Sequence, residues 1–170
     1  MIRELAKSFS AFGQFVDNVI IEADFRRGEF ESNTEIVKAH SSMVFLRARS
    51  SSAEISLKMI RPRHEIKAVL SCRIQAAEKN WRVFTATEIF EFVEAVGDKN
   101  QIHRINPPIV PALLILETLL ADENFSAATR LKLKFKNFIT AGEPLSLVGF
   151  GKTFELISAG VRKVLVTVEQ

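Results

Sequence analysis

The chain is poor in the residues that carry much of protein chemistry: its 170 positions hold one cysteine, one tryptophan, three histidines and no tyrosine. Cys72 alone can form neither an internal disulfide framework nor a cysteine-pair zinc site, and it suits a reducing compartment. A tyrosine general acid is excluded outright. Charge bias is also lacking: 23 Lys and Arg stand against 20 Asp and Glu, and neither half is basic enough to make nucleic acid the expected partner. No window approaches the roughly 18 apolar residues of a membrane span. Arg3, Glu4 and Lys7 interrupt any secretory-type apolar run at the start. The expectation is a cytoplasmic protein with no membrane partner. His40 and His64 stand apart from any carboxylate or cysteine cluster, so no metal is expected. Gly149-Phe150-Gly151-Lys152 fits neither a phosphate loop nor a dinucleotide fingerprint, and no cofactor is expected either.

What the chain has in plenty is phenylalanine, 14 residues in a composition that is 47% hydrophobic. That is enough for a domain-sized core and for lining an apolar pocket. Ile2, Leu5, Phe9, Phe12, Val16 and Val19 recur at spacings of three and four and predict an amphipathic helix weakened by Gly13. The charged stretch Asp24 to Asn33 predicts a loop. Met43–Ala48, Ile55–Ile60 and Ile66–Ile74 predict three strands, joined by turns at Ser50–Ser52 and Arg61–His64.

Thr85-Ala86-Thr87-Glu88 fits a capping box opening a helix that runs to Val96, with Gly97 as its C-cap. Pro111 then introduces Ala112–Ala121, apolar almost all round, which predicts a helix inside the protein. Leu131, Leu133 and Phe135 alternate with Lys132, Lys134 and Lys136 in a strand with one buried face. Leu145–Ile157, interrupted at Gly149 and Gly151, and Val161–Glu169 supply two more. The pattern predicts an α+β fold in which a curved antiparallel sheet wraps one buried helix.

Two residues stand out chemically. Glu117 shares a helical face with Leu113 and Leu120, where an unpaired carboxyl holds its proton; its alternative is escape along an exposed edge of the helix. His103 sits in a loop near Asp98 and Asn100, as a general base would, or else faces solvent. The lysine face of 132, 134 and 136 either attracts phosphates or an acidic carrier, or is an ordinary solvated strand face.

The segment His103-Arg104-Ile105-Asn106-Pro107-Pro108-Ile109-Val110-Pro111-Ala112-Leu113-Leu114-Ile115-Leu116-Glu117 resembles the Gly-His-Phe-Pro-Gly-x-Pro-x-Met-Pro-Gly-Val-Leu-x-x-Glu run of β-hydroxyacyl-acyl-carrier-protein dehydratases. Downstream, Phe135 to Leu145 matches that family's Phe-Arg-x-x-Val-x-x-Gly-Asp-x-Leu strand and turn. Just upstream, Gly97-Asp98-Lys99-Asn100-Gln101-Ile102-His103 resembles the Gly-Asp-x-Asn-Pro-Ile-His signature of the MaoC-like (R)-specific enoyl-CoA hydratases. The departures are Arg104-Ile105-Asn106 for Phe-Pro-Gly and Ala112 for glycine against the first family, and Pro111-Ala112 for His-Gly against the second.

Both families have the hotdog fold. The resemblance implies a hydro-lyase that dehydrates 3-hydroxyacyl thioesters, or hydrates 2-enoyl thioesters, carried on coenzyme A or acyl-carrier protein. It implies His103 as base, Glu117 or Asp98 as acid, and Asn100 on the substrate side. The amides of Ala112 and Leu113, at the free end of the buried helix, are the expected oxyanion donors. Residues 81–170 are the hotdog region. Residues 1–80, a helix and β-rich segment, read either as a degenerate second hotdog half that has lost its helix or as an extension of one sheet. A homodimer or higher oligomer is implied, because the dehydratases draw their His and Glu from different protomers. The rival readings are a hotdog acyl thioesterase and a non-catalytic acyl-binding hotdog.

Overall fold

The computed structural model describes residues 1–64 and 80–170. Its elements run α1 (Ile2–Phe9), a short 3-10 turn (Gly13–Phe15), β1 (Val19–Arg27), β2 (Asn33–Ala39), β3 (Met43–Arg49), β4 (Ala53–Ile60), β5 (Arg82–Val83), α2 (Ala86–Val96), a 3-10 turn (Gln101–His103), α3 (Ala112–Ala121), β6 (Arg130–Phe135), β7 (Pro144–Phe150), β8 (Thr153–Ser158) and β9 (Val161–Glu169). The expected strand Ile66–Ile74 and the single cysteine Cys72 lie outside the described residues.

Two N-terminal expectations are corrected. The first helix stops at Phe9, and the chain passes through the 3-10 turn at Gly13 before becoming extended at Val19. The apolar positions beyond Phe9 keep a helical spacing, but they serve two different elements. The predicted loop from Asp24 begins inside a strand: Ala23 and Phe25 are fully buried, while Glu22 and Asp24 point to the other face. Their charges are answered across the sheet, Asp24 by Arg130 at 2.7 Å and Glu22 by Lys132 at 2.8 Å. Charge in this segment marks the solvated side of a pleat with period two.

Among the described residues, nine strands form one antiparallel sheet in the order β2-β3-β4-β1-β6-β9-β8-β7-β5. Counting outward from the central β1/β6 pair, one side runs β1-β4-β3-β2 and the other β6-β9-β8-β7. Each side is thus a helix followed by four strands in the same order: α1 precedes β1, and α3 precedes β6. Because β1 and β6 are antiparallel, with Asp24 opposite Lys132 at the middle of their register, the two halves are related by an approximate two-fold axis through this seam. Among the described residues, the C-terminal half has one further edge strand, β5.

The C-terminal half forms as its sequence predicts, with two strands more, the short β5 and the second arm of a hairpin. Leu145–Ile157 is a hairpin, β7 and β8, because the chain reverses at Gly151-Lys152. Gly149 lets the two backbones close up there: a Cβ would lie 2.4 Å from the Thr153 carbonyl. In α2, Thr85 and Glu88 make the reciprocal capping box, and Gly97 ends the helix in the left-handed region at φ 69°. Six of the ten residues of α3 are buried aliphatics, Leu113, Leu114, Ile115, Leu116, Leu119 and Leu120. At about 1.5–3 kcal/mol for each buried side chain, this helix anchors the core.

Candidate functional site

The left-handed cap at Gly97 turns the chain out of α2 into a compact polar loop. The backbone amide of Asn100 donates to Asp98 Oδ1 at 2.8 Å, and Asn100 Oδ1 accepts from the amide of Ile102 at 3.2 Å. Asn100 Nδ2 donates to the carbonyl of Asn18, at 3.0 Å, reaching the segment just before β1. The Asn100 side chain thus ties this loop to the start of β1, and the residue also lines the cavity beside Asp98 and His103.

The 3-10 turn carries His103 inward until it is almost fully buried. Its Nδ1 lies 2.7 Å from the carbonyl oxygen of Ile109, and since a carbonyl can only accept, Nδ1 carries the hydrogen. Nε2 of the neutral ring is therefore the free base, and it faces Asp98 Oδ2 at 3.5 Å. Burial, the largest influence, pushes the His103 pKa down. Asp98 and the Ile109 carbonyl push it up, and Arg104 pushes it down again; the net value lies below that of an ordinary histidine. The ring is neutral at neutral pH.

Asp98 and His103 both line a cavity of about 740 Å³, inside the about 300–1,000 Å³ usual for small-molecule sites. Pro111, Ala112 and Leu113, the first residues of α3, line it too. The first amides of a helix have no intrahelical partner, and the helix dipole makes that end electropositive. The opposite walls come from the N-terminal half: Phe9, Phe12 and Phe15 from α1 and the turn after it, with Leu46, Leu57 and Met59 from β3 and β4. Sequence reasoning expected phenylalanine around a pocket but did not assign these residues to it; the spacing of Phe9, Phe12 and Phe15 was the available signal.

Glu117 stands apart from this group. It escapes along the helix edge and forms a bidentate ion pair with Arg3 of α1, the guanidinium Nε and Nη2 donating at 3.0 and 3.1 Å. The same guanidinium lies over the ring of Phe92, 5.6 Å from its centroid. The structure thus joins His103 to Asp98, the hydratase-like pair, and does not bring His103 and Glu117 together. Of the lysine face, Lys132 is paired with Glu22, and Lys136 reaches the cavity rim. Among the described residues, no helix is long and apolar enough to cross a membrane.

No protein-family model matches the chain, and no curated protein matches it significantly. Solved structures do match. The chain is similar to HtdX from Mycobacterium tuberculosis, with 14% identity and a TM-score of 0.66 over 98% of this chain and 86% of that one. It is similar to the full-length peroxisomal multifunctional enzyme type 2 from Drosophila melanogaster, with 15% identity and a TM-score of 0.57 over 97% of this chain and 40% of that one. It is also similar to a MaoC-like dehydratase from Phytophthora capsici, with 13% identity and a TM-score of 0.52 over 92% of this chain and 70% of that one. At these identities the likeness is one of fold: the chain has the hotdog fold.

Proposed function

We propose that the protein is a hydro-lyase acting reversibly on 3-hydroxyacyl and 2-enoyl thioesters. The observation that carries this reading is the Asp98–His103 pair, 3.5 Å apart at the wall of an apolar cavity that also exposes the amino end of α3. Dehydration needs a base for the C2 proton, an acid for the departing hydroxyl and donors for the enolate-like oxygen. In that direction His103 Nε2 takes the C2 proton, and Asp98, protonated, delivers its proton to the C3 hydroxyl, which leaves as water. Hydration runs the same two transfers backwards; the pair holds one transferable proton before and after the reaction, on Asp98 when the hydroxyacyl thioester binds and on His103 when the enoyl thioester leaves, and both protons while the enolate-like oxygen carries charge. The amides of Ala112 and Leu113 receive the thioester oxygen as it gains charge. Removing one such donor typically costs about 10² to 10³ in rate.

The acyl chain lies among Phe9, Phe12, Phe15, Leu46 and Leu57, which gives the surplus of phenylalanine its use. Residues 1–80 are then a degenerate second hotdog half, a reading supported by the repeated strand order about the β1/β6 seam. Its α1 stands where the C-terminal half has α3, so a helix is retained in shortened form. Both walls of the cavity come from one chain, and the fused halves take the place of the two protomers that the dehydratase resemblance implied.

The test is an assay with a 2-enoyl-CoA and with the matching saturated acyl-CoA. Loss of the conjugated enoyl absorbance without release of free thiol supports the hydro-lyase. Thiol release from both substrates, with no hydration, identifies a thioesterase and overturns it.

A further inference from the structure

One buried ion pair lies outside the cavity and takes no part in the proton transfers of Asp98 and His103. Lys163 of β9 and Glu143, in the turn before β7, meet at 2.5 Å with both residues buried. Taking two charges out of water costs several kcal/mol for each, and their attraction offsets this only where further hydrogen bonds complete the site. Here they do. Lys163 Nζ donates to the carbonyl of Phe138 at 3.0 Å, and its own carbonyl accepts from the amide of Lys136 at 2.8 Å. Glu143 Oε2 accepts from the amide of Thr140 at 3.0 Å, and Ser158 also hydrogen-bonds the carboxylate. Burial pushes the Glu143 pKa up, but Lys163 and the Thr140 amide outweigh it and hold the group below the usual carboxylate range. The pair therefore pins both ends of the hook formed by residues 136–143.

The middle of that hook is a short ladder against the segment that enters α3. The amide of Val110 donates to the Ile139 carbonyl at 2.8 Å, and the amide of Ala141 donates to the Pro108 carbonyl at 2.9 Å. Between these two rungs sits Ile109, bridged to Thr140, with its own amide donating to Ile102 at 3.1 Å. Its carbonyl oxygen is the one that accepts from His103 Nδ1.

We propose that the Lys163–Glu143 pair is a positioning device: through the 136–143 hook it holds the Ile109 carbonyl against His103 Nδ1, and so keeps Nε2 free as the base. Neither residue touches the cavity; they act on proton transfer through the backbone of Ile109. The consequence for turnover rests on the hydro-lyase function. The consequence for the histidine tautomer does not.

The experiment uses the full chain labelled with ¹⁵N-histidine, with His103 assigned by its disappearance in His103→Gln. Wild type is expected to show His103 neutral with the hydrogen on Nδ1; a hydrogen on Nε2 would overturn the proposal. The double variant Lys163→Met/Glu143→Met removes both charges together, a replacement that buried pairs often tolerate. In it, a mixture of the two tautomers is expected, with kcat for a 2-enoyl-CoA lower by about 10- to 100-fold and KM within about twofold, as for a small displacement of a catalytic group. Where the double variant does not fold, Glu143→Gln is read in the same way, since it keeps an oxygen for Thr140 and loses only the charge. A folded variant whose His103 tautomer matches wild type shows a purely structural ion pair and overturns the inference. A wild-type Nδ1–H tautomer in a protein that hydrates no enoyl thioester overturns the function and leaves the positioning role standing.

Discussion

The two halves of the molecule share a strand order and differ in almost everything their helices do. In the C-terminal half, α3 is apolar nearly all round and buried, and the loop ahead of it carries Asp98, Asn100 and His103. In the N-terminal half, α1 has eight residues, of which three are buried, and the segment after it supplies half-buried phenylalanines with no titratable pair. The cavity thus takes a histidine–aspartate pair from one half and much of its apolar wall from the other. The shared topology fixes where a cavity forms, and the residues that fill each half decide what that cavity does.

The sharpest way to break this division is to remove its chemical side. His103→Ala and Asp98→Asn should each lower kcat for a 2-enoyl-CoA by about 10²- to 10⁴-fold, the usual contribution of a general acid or base. Steady-state rates on folded protein decide it, and near-normal turnover in either variant would place the chemistry elsewhere. The apolar side is tested next. Phe12→Ala is expected to raise KM for a long-chain enoyl thioester by about tenfold, as the loss of about 1.4 kcal/mol of contact requires, while a four-carbon substrate is unaffected. Equal losses on both substrates would make Phe12 a structural residue only.

Titration gives a smaller effect. The folded pKa of His103 is depressed, so the unfolded chain takes up this proton first as pH falls. Its contribution to stability is whole above the ordinary histidine value of about 6.5 and is lost as pH falls from there through the depressed value. The fall in Tm between neutral and mildly acidic pH should therefore be shallower in His103→Gln than in wild type, as calorimetry would show. Parallel curves would contradict the burial of a neutral ring. The least effect belongs to the contact between the two helices. Arg3 and Glu117 are about half and one third exposed, so Arg3→Ala should cost no more than about 1 kcal/mol, or about 2–4 °C in Tm. Glu117→Gln should leave kcat within about twofold. A hundredfold loss there would return the acid to α3.

The C-terminal half was legible because its signals are local and agree with one another. Thr85 and Glu88 form the predicted box, Gly97 takes the left-handed cap, and the apolar Ala112–Ala121 is the central helix. The loop between them delivers its histidine beside its aspartate. The N-terminal half was harder because its elements are short and its central strand carries charge. Glu22, Asp24 and Arg26 in β1 look like a loop until Arg130 and Lys132 arrive from a strand a hundred residues away. Of the two readings open for Glu117, the structure takes the exposed helix edge, and its partner there was hidden for a similar reason: Arg3 lies 114 residues off, and no periodicity within α3 announces it. Lys163 and Glu143 were also invisible, since alternation within β9 says that a lysine lies on one face but not that this face is covered.

The β1/β6 seam has a consequence of its own. In a dimer of identical chains every substitution is made twice, so a change that enlarges one site must also be tolerated at its image. Here the two sides are coded separately, and a change at Phe12 or at Asp98 is made once only. With the seam inside one chain, its two sides are free of that symmetry, and each can change without its image changing.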